Sequence, residues 1–288
     1  MIYFELFAAH TLWAVLFSVI LALLVGSFLN VVILRLPVMM EREWQAAIHA
    51  EMSHQETSQQ QEEKFNLAVP ASRCNHCGHQ IRWYENIPVI SWLILKGRCS
   101  QCKTPISARY PFIEALSALL CGIIGWQFGF NTLGFALMVF TWALIALTFI
   151  DLDHQLLPDS ITLPLLWLGL LLNSFDLFTS LSSAVWGAIL GYLSLWSVYW
   201  AFKLLTGKEG MGYGDFKLLA ALGAWGGAIS LPMIILFSSI AGVLLAGILI
   251  ATKKHQASNP LPFGPYLAIA GWFAVIWGQP IMDWYLGV

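Results

Sequence analysis

The chain has 288 residues, of which 58% are hydrophobic and only 10% charged, against about 25% charged in soluble domains. So few charges cannot cover a water-soluble surface, and the apolar residues stand in blocks near the ~20 needed to cross hydrocarbon, which excludes a soluble globular protein. The net charge of -2 is uninformative about nucleic acid, and no nucleic-acid partner is expected.

In chain order, the first apolar segment covers 11–36. Glu5 and His10 precede it where a signal peptide would be basic, and no small-x-small site follows, so the segment is expected to stay in the mature protein. Residues 37–110 form the one large extramembrane stretch. Within it, 41–66 (EREWQAAIHAEMSHQETSQQQEEKFN) is rich in Gln and Glu and suits a solvated helix or flexible arm. Residues 70–110 bring Pro, Gly and four cysteines, which suits a small stapled module. Apolar segments follow at 111–128, 132–150, 160–176, 183–203, 214–227, 231–251 and 265–285, for about eight spans. The sixth is short and glycine-bearing, consistent with a tilted or broken helix or a re-entrant element. The expected fold is all-α and polytopic, with about eight transmembrane helices and a small cytoplasmic zinc-ribbon-like module, divided into 1–36, 37–110 and 111–288.

Threading these spans places all 14 Lys and Arg residues on one side of the bilayer, and the turns near Asn131, Ser180 and 226–230 hold none. The positive-inside tendency makes that side cytoplasmic and puts both termini outside. Aromatics such as Trp13, Trp92, Trp126, Trp225 and Trp284 lie near expected span ends and read as interfacial belts.

Cys74-Asn-His-Cys77 and Cys99-Ser-Gln-Cys102 are two CxxC pairs with 21 residues between them, close to zinc-ribbon spacing. Four thiolates fill the tetrahedral shell of Zn²⁺ and leave no open position, so the expected site is structural. A reducing cytoplasm disfavours disulfides, and no βαβ pattern supports a thioredoxin-like pair. His76 and His79 then read as loop residues and Cys121 as a packing residue.

The third segment ends in FIDLDHQLLPD and the sixth opens with GMGYGDFKLLAALGAW. Ionisable residues at membrane depth are costly and are functional candidates. Asp151 follows directly on an apolar run, while Asp153, His154 and Asp159 are expected further into the loop, with solvation or helix capping as the role of Asp153 and Asp159. Asp215 closes a glycine-rich stretch whose freedom permits bending around an extended peptide. Two nearby carboxylates suit water activation, one taking a proton while the other donates one. They equally suit a cation or proton relay, and the residues alone leave both open.

Taken together, these motifs resemble the type IV prepilin peptidases, bacterial inner-membrane aspartic proteases of the GxGD class. The resemblance rests on Gly26-Ser-Phe-Leu-Asn-Val-Val-Ile-Leu-Arg-Leu-Pro37, the two CxxC pairs, Ile106-Ser-Ala-Arg-Tyr-Pro111, the Asp151 to Asp159 motif, Gly212-Tyr-Gly-Asp-Phe-Lys217 and Pro262-Phe-Gly-Pro265. Only 41–66 diverges. The resemblance implies Asp151 and Asp215 as the catalytic pair within 111–288, and Cys74, Cys77, Cys99 and Cys102 as metal ligands. It implies cleavage of the basic leader of prepilins and pseudopilins after a glycine, at the cytoplasmic face of the bilayer. N-methylation of the new N-terminal residue, usually phenylalanine, by S-adenosylmethionine would follow, in the service of pilus assembly and type II secretion. No GxGxxG nucleotide fold is present, so the methyl-donor site must be unconventional, with Gly97, Arg98 and the stretch 207–214 as candidates. Lys208 and Lys217 read as interface anchors, with Lys217 alternatively tuning Asp215 or contacting substrate, and Glu114 as a partner for Arg109 or a guide for the substrate amine. A cation carrier using the two aspartates and a zinc-dependent scaffold are the competing functions.

Overall fold

The computed structural model describes residues 11–52, 65–252 and 261–286, and the regular elements among them are all helical. Besides two short 3-10 turns at Trp83–Asn86 and Ala228–Ser230, they are α1 (Thr11–Met52), the short α2 (Ile90–Ile94), α3 (Arg109–Phe128), α4 (Thr132–His154), α5 (Asp159–Asn173), α6 (Leu181–Thr206), α7 (Tyr213–Gly226), α8 (Leu231–Ala251) and α9 (Gly264–Leu286). Eight of these coincide with the apolar segments. Five stretches, Thr11–His49, Arg109–Phe128, Thr132–His154, Leu181–Thr206 and Ala228–Ile248, are long and apolar enough to cross a membrane, whereas Asp159–Asn173 and Gly264–Gly278 are apolar but shorter. Length and composition therefore establish five candidate spans among the described residues, where the sequence reading counts about eight.

Two boundaries differ from expectation. Helix α1 passes through Pro37 and continues to Met52, so the expected edge at residue 36 falls inside a helix. Residues such as Glu41, Gln45 and Ala46 are strong helix formers, and Gln45 Nε2 donates to Glu41 Oε1 at 2.7 Å one turn away. Residues 53–64 of the Gln- and Glu-rich arm, with Lys64, lie outside the described residues, as do Lys253, Lys254 and the Trp284 side chain. Helix α4 runs through His154, so Asp153 and His154 are helical rather than in the loop. It stops at Gln155, whose φ of 51° leaves the helical region, although its amide still donates to the Asp151 carbonyl at 2.9 Å.

The chain divides into two compact units, Met1–Trp142 and Ala143–Val288. In the first, α1 and α3 pack closely because both carry small residues. Ala14, Ser18, Ala22, Gly26 and Asn30 recur every fourth residue along one buried face of α1. A methyl at Gly125 of α3 would lie 2.5 Å from Ser18 Oγ, and one at Gly26 would lie 3.0 Å from the Glu114 Cα. Polar groups in this seam are paired: Ser117 Oγ donates to the Ala22 carbonyl at 2.9 Å, and Asn30 Nδ2 donates to the Tyr110 carbonyl at 3.2 Å. The opposite face of α1 exposes Leu12, Leu16, Ile20, Leu24 and Phe28, as lipid contact requires.

In the second unit, α7 is the centre. From Asp215 to Trp225 every residue is buried except Lys217. Its 14 residues reach about 21 Å at 1.5 Å per residue, short of the ~30 Å hydrocarbon core. It is nevertheless one continuous helix, because α5, α6 and α9 surround it and supply the apolar contacts that lipid would otherwise give. The α6 contact is backbone on backbone, with Gly187 against Gly223. On the α5 side, Trp225 Nε1 donates to the Leu165 carbonyl at 2.8 Å, and Asn173 Nδ2 donates to the Ala224 carbonyl at 2.8 Å.

Candidate metal centre and acidic site

The cysteine module is built from two copies of one turn. In the first, the Cys74 amide donates to the His79 carbonyl and the Gly78 amide to the Cys74 carbonyl, closed by a bridge between Arg73 and Gln80. In the second, the Cys99 amide donates to the Thr104 carbonyl and the Lys103 amide to the Cys99 carbonyl, closed by a bridge between Arg98 and Pro105. Gly78 and Lys103 hold the same place, at φ of 72° and 60°. Each turn projects two sulfurs into one space, and all four ligand atoms lie within 4.8 Å of one another. The Cys74 to Cys102 separation of 3.8 Å and the Cys77 to Cys99 separation of 4.0 Å match the ~3.8 Å edge of a tetrahedron with Zn–S bonds of about 2.3 Å. The hydroxyl and amide of Thr104 draw the Cys102 thiol down to about 6, while burial and the neighbouring thiols push Cys77 up to about 11, so the fit to a metal rests on the placement of the four sulfurs. The donor set therefore fits zinc.

Glu85 ties the two turns together. The Arg82 amide, then the Ser100 hydroxyl, then His79 hold its carboxyl down to about 2, with His79 Nε2 at 3.1 Å. His79 is thus an anchored residue rather than a free loop histidine. A depressed folded-state value stabilises the module above the ordinary glutamate value of 4.5, and the contribution is lost as pH falls toward 2. Glu85→Gln is expected to lower the melting temperature at pH 7, with the gap to the parent closing below 4.5; circular dichroism melts at both pH values check this. Gly97 and Arg98 open the second turn. Gly97 sits at φ 66°, and a methyl there would lie 2.9 Å from the Trp92 ring, so glycine is required for both backbone and packing reasons.

The acidic site lies in the second unit. Asp151 occupies the last turn of α4 and is 5% exposed, and Asp215 occupies the first turn of α7 and is 7% exposed. They are close enough for the charge of one to act on the other. Each carboxylate stands beside a glycine at a helix start. Gly264, the first residue of α9, donates its N–H to Asp151 Oδ2 at 3.0 Å, a free donor because the first turn of a helix leaves its amides unpaired. Gly212, the N-cap of α7, stands beside Asp215, where a methyl would lie 3.8 Å from Asp215 Oδ2.

Glycine is needed at these places for room. A methyl at Gly264 would lie 2.7 Å from Asp151 Oδ2, and one at Gly214 would lie 2.7 Å from Leu157 Cβ. Leu157 also approaches Gly264, at 3.2 Å from the same hypothetical methyl. This leucine therefore packs the α4–α5 loop against the starts of both α7 and α9. The sequence reading assigns no role to Leu157 or Gly264, although a glycine between Phe263 and Pro265 at the head of an apolar segment marks a helix start.

Two expectations are revised here. Lys217 Nζ lies 2.7 Å from both oxygens of Asp159, so Lys217 is tied to Asp159 across the rim of the site, and Asp159 is an ion-pair partner as well as the first residue of α5. Glu114 accepts the Val89 amide at 2.7 Å, a contact not foreseen. Cys121, by contrast, is fully buried as a packing residue would be.

Residues 20–128 match the bacterial peptidase A24 N-terminal domain, and residues 138–247 match the type IV leader peptidase family. The prepilin leader peptidase/N-methyltransferase of Stutzerimonas stutzeri is 57% identical over 282 residues, covering 98% of this chain and 97% of that protein. The chain belongs to the type IV leader peptidase family. Proteins with the same name from Pseudomonas aeruginosa, 54% identical over 279 residues with 97% and 96% of the two chains covered, and from Aeromonas hydrophila, 56% identical over 282 residues with 96% of each covered, extend the relationship. No solved structure matches. The leader peptidase match contains both Asp151 and Asp215, the N-terminal match contains all four cysteines, and Gly264 lies beyond both. Membership of a peptidase family sets aside the cation-carrier alternative.

Proposed function

We propose that this protein cleaves the basic leader from type IV prepilins and type II secretion pseudopilins at the cytoplasmic face of the bacterial inner membrane, and then methylates the exposed N-terminal amine. The observation that carries the reading is the pair of buried carboxylates, Asp151 and Asp215, each beside a glycine at a helix start. The names of the relatives support both reactions, and the one-sided placement of Lys and Arg supports the cytoplasmic orientation.

In the first reaction, one carboxylate takes a proton from water as the water oxygen attacks the scissile carbonyl carbon. The other, protonated, donates to the carbonyl oxygen, and the C–N bond then breaks with a proton passing to the leaving amine. A substrate with a basic leader and an apolar helix would lie in the bilayer with its junction at this edge. Cys74, Cys77, Cys99 and Cys102 would hold a structural Zn²⁺, whose chemistry is to fix the module. S-adenosylmethionine would supply an electrophilic methyl group to the amine.

The test is incubation of the purified chain, in a membrane mimic, with a prepilin. Cleavage after the glycine is the expected result, and an intact prepilin overturns the reading. Gly264→Ala is expected to slow cleavage about 100-fold, because displacing a catalytic group by around 1 Å costs that much. Time courses of leader loss, compared with the parent, measure it.

A further inference from the structure

A cavity of about 720 Å³ lies wholly within the first unit, bounded by the cysteine module, the middle of α1 and the start of α3. That is within the ~300–1,000 Å³ range of small-molecule sites. Its wall carries a carboxylate, Glu114, which is 7% exposed; its hydrogen-bond partner, the Val89 amide, and the Ser27 hydroxyl beside it are neutral. Burying a carboxylate on neutral partners is costly unless a cation also comes to it. Val89 itself is held at φ 59°, a left-handed conformation that β-branched residues avoid, and such strain concentrates at ligand sites. Arg35 supplies a guanidinium to the same wall, and Phe65, Trp92 and Tyr110 supply rings.

S-adenosylmethionine carries a sulfonium and an ammonium, one carboxylate and an aromatic base. We propose that this cavity is its binding site, with Glu114 facing the cationic end, Arg35 the carboxylate and the aromatic rings the adenine. The proposal rests on the methyl-transfer reading above. Gly97 and Arg98 do not line the cavity. Gly97 bears on it through Trp92, whose ring lies over its Cα and whose Nε1 donates to the Ile106 carbonyl at 3.2 Å.

The experiment uses the full chain and S-adenosylmethionine itself. Equilibrium dialysis compares the parent with Glu114→Gln, which keeps an oxygen for the Val89 amide and removes only the charge. Affinity is expected to fall about 30-fold, with melting temperature and zinc content unchanged as the check on folding. Ultraviolet crosslinking of radiolabelled S-adenosylmethionine to the parent, followed by peptide mapping, is expected to mark peptides containing Phe65, Trp92 or Tyr110. It decides the matter if the variant fails to fold. Label confined to residues 143–288, or a folded Glu114→Gln that binds as tightly as the parent, overturns the cavity assignment alone. A parent chain that takes up no S-adenosylmethionine in either measurement overturns the methyl-transfer reading, and the assignment with it.

Discussion

Asp151→Asn and Asp215→Asn are each expected to slow leader cleavage by about 1,000-fold, the scale on which a positioned acid or base contributes. Asparagine is nearly isosteric and at position 151 keeps an oxygen for the Gly264 amide, so neither helix end should move. What it loses is the ability to take or give a proton. Because the two groups act on one water and one carbonyl, the double variant should be little slower than either single one. Gel analysis of prepilin processing reads all three, with circular dichroism to confirm helical content. Full cleavage by both single variants would refute the aspartic assignment. Methylation of a substrate supplied without its leader is expected to survive in both, since the proposed donor cavity lies in the first unit and the carboxylates in the second.

Metal removal should have the other large effect. The two turns around Cys74 and Cys99 are short and their module has little apolar core of its own, so metal binding would provide most of its folding free energy, on the order of 10 kcal/mol for a structural zinc. Cys74→Ser leaves three thiolates and a weak ligand. Zinc content is expected to fall from one ion per chain to near zero, and residues 66–108 should become open to proteolysis while α4 to α9 stay protected. Elemental analysis and limited proteolysis measure the two outcomes. A wild-type protein that holds neither zinc nor iron would remove the metal reading altogether.

Features whose physics is local were legible in the residues. Each CxxC pair is a turn of four residues, and the spacing alone anticipated that the four sulfurs would share one site, now seen within 4.8 Å. Long apolar blocks anticipated eight of the helices, because hydrophobic length is a property of a continuous segment. Boundaries were less legible where helix propensity outran hydrophobicity, as in the extension of α1 from residue 36 to Met52 and of α4 through His154. There the polar residues that end a span are also good helix formers.

The candidacy of Asp151 and Asp215, as ionisable residues beside apolar runs, belonged to the sequence by itself. Only the tertiary structure decided what holds them. Gly264 lies 113 residues from the Asp151 it serves, and Lys217 lies 58 residues from the Asp159 it pairs with, so no local pattern could select either partner. Leu157 reads as one more leucine until its packing against Gly214 and Gly264 is seen. The buried Glu114 likewise became a binding candidate only when folding brought Val89 and the cavity wall to it. The physical reason is the same in each case: composition and spacing determine what a segment can be, while the partner of a buried polar group is set by which distant backbone the packed helices deliver to it.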